Sequence, residues 1–362
     1  MSRITAVYRV RSSAAAIEER AKAIAVEQSV ELPVSAIRDA RVLDEVVGRV
    51  EGIEDLRGGD FRVRIGLAVS TTGLEAGQLL NMLFGNTSLH DDVVLEDAEF
   101  PDEVLQRFGG PRHGVTGLRQ RCGAGDRALT CSALKPQGLP AEALAALAGE
   151  FARGGLDYVK DDHGLADQAY SPFSQRVLAS ARAVRAANKA TGGRTRYVPS
   201  LSGHLDQLRQ QVALARHEGI GEVLVAPMVI GLPAFHALVT EHPDMAFLVH
   251  PAMAGAARLA PSFLLGRLFR LMGADATIFP NHGGRFGYSP ALCRDLAEAA
   301  RAPWSKLQPS LPTPGGGMSL DRVGEMLDFY GQDVMLLIGG GLLAAPDLAA
   351  ATKAFTGRVA QG

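Results

Sequence analysis

The sequence predicts an α/β protein in which a C-terminal TIM (β/α)8 barrel follows a smaller α+β, ferredoxin-like domain. Three observations carry this. From Asp126 onward, apolar strand-like runs alternate with Ala/Leu/Arg-rich helical stretches, and there are eight such runs before the end at Gly362. The ends of several runs carry ionisable side chains or glycines, the residues expected at the C-terminal mouth of a barrel. The stretch before Asp126 contains strands and helices without that rhythm, which sets the expected domains at 1–125 and 126–362.

In the first domain, Ile4 to Val10 alternates as a strand. Ser12 and Ser13 are candidate caps for a helix over 14–26, with Glu18 and Glu19 early in it. Segments 41–50 and 61–69 are apolar and β-branched. Leu74 to Phe84 reads as a helix ending at Gly85-Asn86, and 93–100 as a further strand. The eight later runs are 128–135, 156–160, 196–200, 222–228, 246–250, 276–280, 306–311 and 334–338. A doubly wound open sheet also alternates in this way, but eight unbroken units favour closure.

Composition narrows the function. The chain has 362 residues, 47% hydrophobic and 21% charged, with a formal net charge of −2. Nothing in it predicts a nucleic-acid partner or an anionic membrane surface. No apolar run reaches the length of a membrane span, and no signal-peptide core is expected at the start. The three cysteines lack metal or redox spacing, so a cytoplasmic setting is the expectation.

The strand ends supply the candidate site. The second run ends in Lys160-Asp161-Asp162-His163, where four ionisable groups follow an apolar strand. Alternation sends Lys160 and Asp162 to one face and Asp161 and His163 to the other, unless a turn lets Lys160, Asp162 and His163 converge. Lys135 closes the first run and His250 the fifth. The sixth leads into Asn281-His282-Gly283-Gly284-Arg285. The glycine triplets 315–317 and 339–341 follow runs seven and eight, where backbone N–H groups of a barrel can face a phosphate.

These residues resemble the RuBisCO superfamily. Residues 154–163, Gly-Gly-Leu-Asp-Tyr-Val-Lys-Asp-Asp-His, are similar to its GGLDFxKDDE segment. Leu134-Lys135-Pro136 is similar to its IKPK segment, and His250 aligns with a strand-five histidine. The resemblance implies that Lys160 is carbamylated and that Lys160, Asp162 and His163 hold Mg2+. It implies that Lys135 and His250 are catalytic and that Gly316, Gly317, Gly339 and Gly340 bind phosphate. It further implies a homodimer, or a multiple of dimers, in which Glu27 and Asn86 reach the partner's site. The sequence also departs from the family. His163 stands where the family has Glu, Gln137 where it has Lys, and Pro251 where it has Arg, while the strand-six phosphate-binding histidine position reads as Phe279 or Pro280. An imidazole suits Mn2+ or another divalent metal as well as or better than Mg2+. Only one of two anion sites is plainly present, so the resemblance is to the RuBisCO-like, non-carboxylating branch.

The expected chemistry is proton abstraction beside a ketone of a phosphorylated keto-sugar, giving a metal-bound enediolate. Decarboxylation of a branched keto-sugar-acid phosphate such as 3-oxo-isoapionate 4-phosphate is placed first, with His282 and Arg285 as candidate anion-binding groups. An enolase or isomerase of a methylthio-ribulose-type phosphate is the alternative, and a non-catalytic regulatory protein is the reading from another class. For individual residues the plainer roles stay open: Lys160 and Asp162 as a simple ion pair, Lys135 as a phosphate anchor.

Overall fold

A computed structural model describes residues 2–362. The chain begins with β1 (Arg3–Arg11), the helix Ile17–Glu27, β2 (Arg49–Asp55), β3 (Asp60–Ala68), the helix Ala76–Phe84 and β4 (Val93–Glu99). The four strands form an antiparallel sheet in the order β2-β3-β1-β4. This βαββαβ order buries one face of the sheet, with Ile4, Ala6, Tyr8 and Val10 of β1 packed against Ile17, Ala21 and Ile24 of the first helix. Most of the apolar segment at 41–50 is not strand: Val42–Val46 is a helical turn, and β2 overlaps the segment only at 49–50 before running on through residues that are almost all exposed.

Eight parallel strands follow: β5 (Leu129–Leu134), β6 (Tyr158–Asp161), β7 (Arg196–Val198), β8 (Glu222–Val225), β9 (Ala246–Val249), β10 (Ala276–Pro280), β11 (Leu311–Gly315) and β12 (Met335–Leu337). Their order, β7-β6-β5-β12-β11-β10-β9-β8, is that of a barrel cut once between β7 and β8. Backbone bonds close the cut, from Leu224 N to Pro199 O at 2.9 Å and from Leu201 N to Leu224 O at 2.8 Å.

The seventh strand is a correction. The apolar pattern placed it at 306–311, whereas β11 is Leu311–Gly315 and contains Pro312 and Pro314. Proline is rare in a central strand because it donates no hydrogen bond. In a parallel strand alternate residues bond to opposite neighbours. Leu311 N bonds on the β10 side, to Asp275 O at 2.8 Å, so the two prolines face β12. β12 is short and pairs with β11 only through Gly315 and Leu337, so the missing donors cost little there.

Alternate residues fill the lumen. Leu129, Cys131, Tyr158, Val198, Leu224, Ala246, Leu248, Ala276, Ile278, Leu311, Met335 and Leu337 form one buried cluster, joined from below by Val115, Leu118 and Cys122 of the helix Gly114–Cys122. That helix packs with the barrel, although the sequence division places it before residue 126. Its N-terminus is held by Asp275, whose Oδ1 accepts from His113 N at 2.7 Å and Gly114 N at 2.8 Å, while Oδ2 accepts from Phe247 N at 2.9 Å. A carboxylate there satisfies otherwise orphaned donors and meets the positive end of the helix.

The two domains touch at an edge. β4 makes a parallel bridge to Leu259, with Leu95 N donating to Arg258 O at 3.1 Å and Ala260 N to Leu95 O at 2.9 Å. The segment beginning at Arg258 continues the loop that leaves β9, so β4 anchors the far end of that loop.

Asp275 provides a stability test. Asp275→Ala strands two buried N–H groups and one part-buried one and should lower unfolding stability by about 3 kcal/mol. Denaturant unfolding followed by tryptophan fluorescence and by circular dichroism measures it, and Asp275→Asn should lose less because one acceptor oxygen remains.

Candidate active site

The lumen pattern fixes which side chains reach the mouth. Leu129 and Cys131 face inward, so Lys135 does too; Tyr158 faces inward, so Lys160 and Asp162 follow; Ala246 and Leu248 carry His250. Asp161 faces the other way. Its Oδ2 accepts from Arg176 Nε at 2.9 Å and Ser200 N at 3.1 Å, and its Oδ1 accepts from Tyr197 Oη at 2.8 Å. Arg176 is itself fully buried and also donates to Ser171 O and Ala166 O, which ties the loop after β6 to the helix Phe173–Thr191.

The turn comes after Asp162, with Leu165 N donating to Asp162 O at 3.0 Å. It swings His163 back towards the lumen side. His163 Nδ1 then lies 3.4 Å from Asp162 Oδ1, and the same oxygen takes Lys135 Nζ at 2.7 Å. Gln137 Nε2 donates to the other oxygen at 3.4 Å. Lys135, Asp162, His163 and Gln137 are therefore one constellation. The ring of His163 stacks on that of His250, with centroids 3.9 Å apart and planes 7° apart. His250 Nδ1 accepts from Ala252 N at 3.1 Å, so the neutral ring carries its proton on Nε2.

Electrostatics sharpen the picture. Lys160 is wholly buried and donates to the carbonyl of Asp161 at 3.0 Å. Burial pushes its amine pKa down, with the Lys135 charge adding to the effect, while Cys131 and the nearby aspartates oppose it. Burial works against ionisation of Asp162 too, but hydrogen bonds from His163 and Lys135 and the charge of Lys160 outweigh it and hold the carboxyl well below its usual range. Burial, helped by the charges of Lys160 and His163, pushes His250 down to about 2, so it is a neutral imidazole at physiological pH.

Among the described residues, no three His, Cys, Asp or Glu side chains gather as a ready-made metal cage. Asp162 and His163 offer two ligands at this spot. A third arises only if Lys160 takes up CO2 as a carbamate, a reaction of the neutral amine that its burial favours. On that condition the donor set fits a divalent ion, with oxygen ligands for magnesium and an imidazole that also admits manganese.

The glycine turns lie side by side. Gly316 and Gly317 have φ of +81° and +70°, and a Cβ on Gly317 would stand 2.5 Å from Gly284 Cα, so the turns after β10 and β11 need glycine to approach. Gly339 and Gly340 open the helix Gly340–Leu343 after β12, and Gly341 sits against Met318. Arg285 is exposed, its guanidinium 4.8 Å from the Phe286 ring. His282 lies against Phe329, at 4.6 Å between centroids, on the helix Val323–Tyr330, and its Nε2 is buried without a hydrogen-bond partner. The structure thus packs His282 into the helical layer rather than beside Lys160. Glu27 and Asn86 meet each other instead of the barrel mouth: Asn86 Nδ2 donates to Glu27 Oε1 at 2.9 Å and to Glu31 Oε1 at 3.0 Å.

Sequence reasoning missed four participants: Arg176, Tyr197, Gln137 in its contact with Asp162, and Glu31. The outward parity of Asp161 was the available signal for the first two, since a buried carboxylate needs a partner from the neighbouring helix or strand.

The model of the ribulose bisphosphate carboxylase large chain, catalytic domain, matches residues 103–287. The chain is 60% identical over 361 residues to 5-methylthioribulose-1-phosphate isomerase of Rhodospirillum rubrum, covering 99% of this chain and 96% of that protein. It is 32% identical over 322 residues to 2,3-diketo-5-methylthiopentyl-1-phosphate enolase of Geobacillus thermodenitrificans, covering 83% and 78%. Among solved structures, a Rubisco-like protein from Rhodopseudomonas palustris superposes with a TM-score of 0.94 at 55% identity, covering 100% of this chain and 98% of that one. With its barrel, its N-terminal sheet and these similarities, the chain belongs to the RuBisCO large-chain superfamily, as a RuBisCO-like protein.

Proposed function

We propose that this protein is an isomerase of 5-methylthioribulose 1-phosphate, working through an enediolate. The observation that carries the reading is the 60% identity, over nearly the whole of both chains, to a protein of that name. The decarboxylation placed first on sequence grounds gives way to this alternative. A keto-sugar-acid substrate needs a second anion site, and its two candidates do not make one: His282 packs on Phe329, and Arg285 lies over Phe286 at the exposed surface. Lys135 and Lys160 are both in place, which disfavours the non-catalytic reading.

A base removes the proton from the carbon beside the ketone, and the electron pair moves onto the carbonyl oxygen. Return of a proton to the former carbonyl carbon, with loss of the hydroxyl proton at the neighbour, moves the ketone along the chain without gain or loss of atoms. A divalent metal held by Asp162, His163 and a carbamate on Lys160 would polarise the ketone and stabilise the oxyanion. Lys135, fixed by Asp162 at 2.7 Å, is the acid/base assigned to the enediolate. His250, neutral and with Nδ1 occupied by Ala252 N, offers its Nε2–H to a substrate oxygen. The glycine turns after β11 and β12 take the phosphate on backbone N–H groups. The protein acts as a homodimer, and the preassembled Glu27, Glu31 and Asn86 cluster serves the partner's mouth. No helix of the described residues is long and apolar enough to cross a membrane.

Three outcomes test this reading. Purified protein with Mg2+ or Mn2+ in D2O should isomerise 5-methylthioribulose 1-phosphate with deuterium entering at carbon, followed by NMR. Release of CO2 from a keto-sugar-acid phosphate, without isomerisation, would overturn it. Lys160→Ala should lower kcat at least about 10³-fold, the scale expected when a group organising oxyanion stabilisation is lost, with circular dichroism unchanged. Finally, inactive Lys160→Ala and inactive Asn86→Ala proteins should regain activity when co-expressed, because mixed dimers hold one intact site; a mixture that stays inactive removes the shared-site arrangement.

A further inference from the structure

The floor end of the barrel, opposite the mouth, holds charges that the chemistry above does not use. Strands β7 and β8 begin there with Arg196 and Glu222. Glu222 is buried, and its Oε1 accepts from Arg196 Nε at 3.0 Å and from Arg121 Nη1 at 3.2 Å. One carboxylate thus faces two guanidiniums. Arg121, on the helix Gly114–Cys122, also donates to the carbonyls of Gly221 at 3.1 Å and Asp244 at 2.7 Å, and touches the His113 ring. Arg196 is used on one edge alone. Its Nε bonds Glu222, while neither Nη1 nor Nη2 has an acceptor among the described residues.

Arg196 lines an open cavity of about 440 Å³, set between the helix Leu205–His217 and the turns that lead into β8 and β9. Arg216 and His217 line it from the end of that helix. Arg216 Nε and Nη2 each lie 3.0 Å from Asp244 Oδ2, and its Nη1 has no acceptor among the described residues. The Gly221 amide, on the cavity wall, likewise donates to none of them. Glycine is needed at 221, since a Cβ there would press on Arg121 Nη1 and stand 3.4 Å from Arg196 Nη2. The rest of the lining includes Ala213, Ile220 and Met245, which carry no charge. Arg121, Arg196 and Arg216 face two carboxylates, Glu222 and Asp244, so one positive charge is left in surplus beside the cavity.

We propose that this cavity is a second anion site, separate from the mouth, and that it takes a phosphate group, either free or as the monoester of a small polyol. The planar donor edges of Arg196 and Arg216 match phosphate oxygens, and a cleft with surplus positive charge concentrates anions. The cavity has room for a small organic group beside the phosphate, against its uncharged lining. The network has a structural duty too, since Glu222 ties β7, β8 and the floor helix together. That duty uses only the Nε edge of Arg196, and it leaves the opposite edge and Arg216 Nη1 without a purpose. The inference stands apart from the isomerase reading.

Hydrogen exchange followed by mass spectrometry tests it, with inorganic phosphate and glycerol 1-phosphate titrated at constant ionic strength. Either probe should slow exchange over 213–221 and 244–246 with a Kd of about 1 mM or tighter. Protection of the glycine turns 315–317 and 339–341 reports the mouth separately. Ala213→Glu places a carboxylate at the cavity and removes no side-chain bond; Arg216→Gln removes the free Nη1. Each should raise the Kd read at 213–221 at least about tenfold, the loss expected for one charge-assisted hydrogen bond, and leave the mouth's protection as in wild type. Tighter binding of glycerol 1-phosphate than of phosphate assigns the site to a monoester, and equal binding assigns it to inorganic phosphate. No protection at 213–221, protection matched by chloride, or protection unchanged in both variants overturns the proposal and leaves the isomerase reading intact.

Discussion

The candidate site depends on where one carboxylate is buried. Asp161 sits between Lys160 and Asp162, and its side chain goes outward, to Arg176, Tyr197 and the Ser200 amide. A buried charge without partners is costly, so this arrangement pins the parity of the strand end. With Asp161 held outside, Lys160 and Asp162 must both point into the lumen. A one-residue slip would reverse all three and dismantle the cluster. Arg176 extends the constraint further, since its remaining donors hold the backbone at Ala166 and Ser171 and so shape the loop that carries His163.

Inside the lumen, apolar packing and ionic chemistry share one axis. The lower layers are aliphatic and aromatic and are plugged by the helix Gly114–Cys122, which rests on Asp275. Water is excluded from below, which is what lets burial shift Lys160 and His250 away from their charged forms. The same floor that stabilises the barrel therefore contributes to the burial that lowers the Lys160 and His250 pKa values. The ring of His163 stacked on His250 fits this account, since its charge and that of Lys160 add to burial in holding the His250 imidazole neutral.

Much of the fold was legible because two periodicities dominate it. Strand runs ending in Lys135, Lys160 and His250 stood out since an apolar stretch stops abruptly at an ionisable group. β11 was not legible, because Pro312 and Pro314 suppress the usual strand signal and the absence of a strong β12 partner that tolerates them is a tertiary fact. The convergence of His163 on Asp162 depended on a turn whose position the sequence left open. The anion-binding role considered for His282 rested on its closeness in sequence to a strand end and on its inward parity with Ala276 and Ile278, but the chain leaves the strand after Pro280 and the ring packs on the aromatic wall of Phe329 and Tyr330 in the helical layer. The partners of Asp161 lie on the following helix and strand, beyond what local patterning reads.

The bridge between β4 and Leu259 has a consequence for how the molecule moves. It couples the edge of the N-terminal sheet to the loop that begins at His250. A displacement of the β4 edge relative to the barrel is therefore carried directly to the far end of that loop. The N-terminal domain is thus a tensioning element for one wall of the cavity as well as a separate folded layer. Changes in its packing, however distant from the lysines, have a backbone route to the β9 end of the mouth.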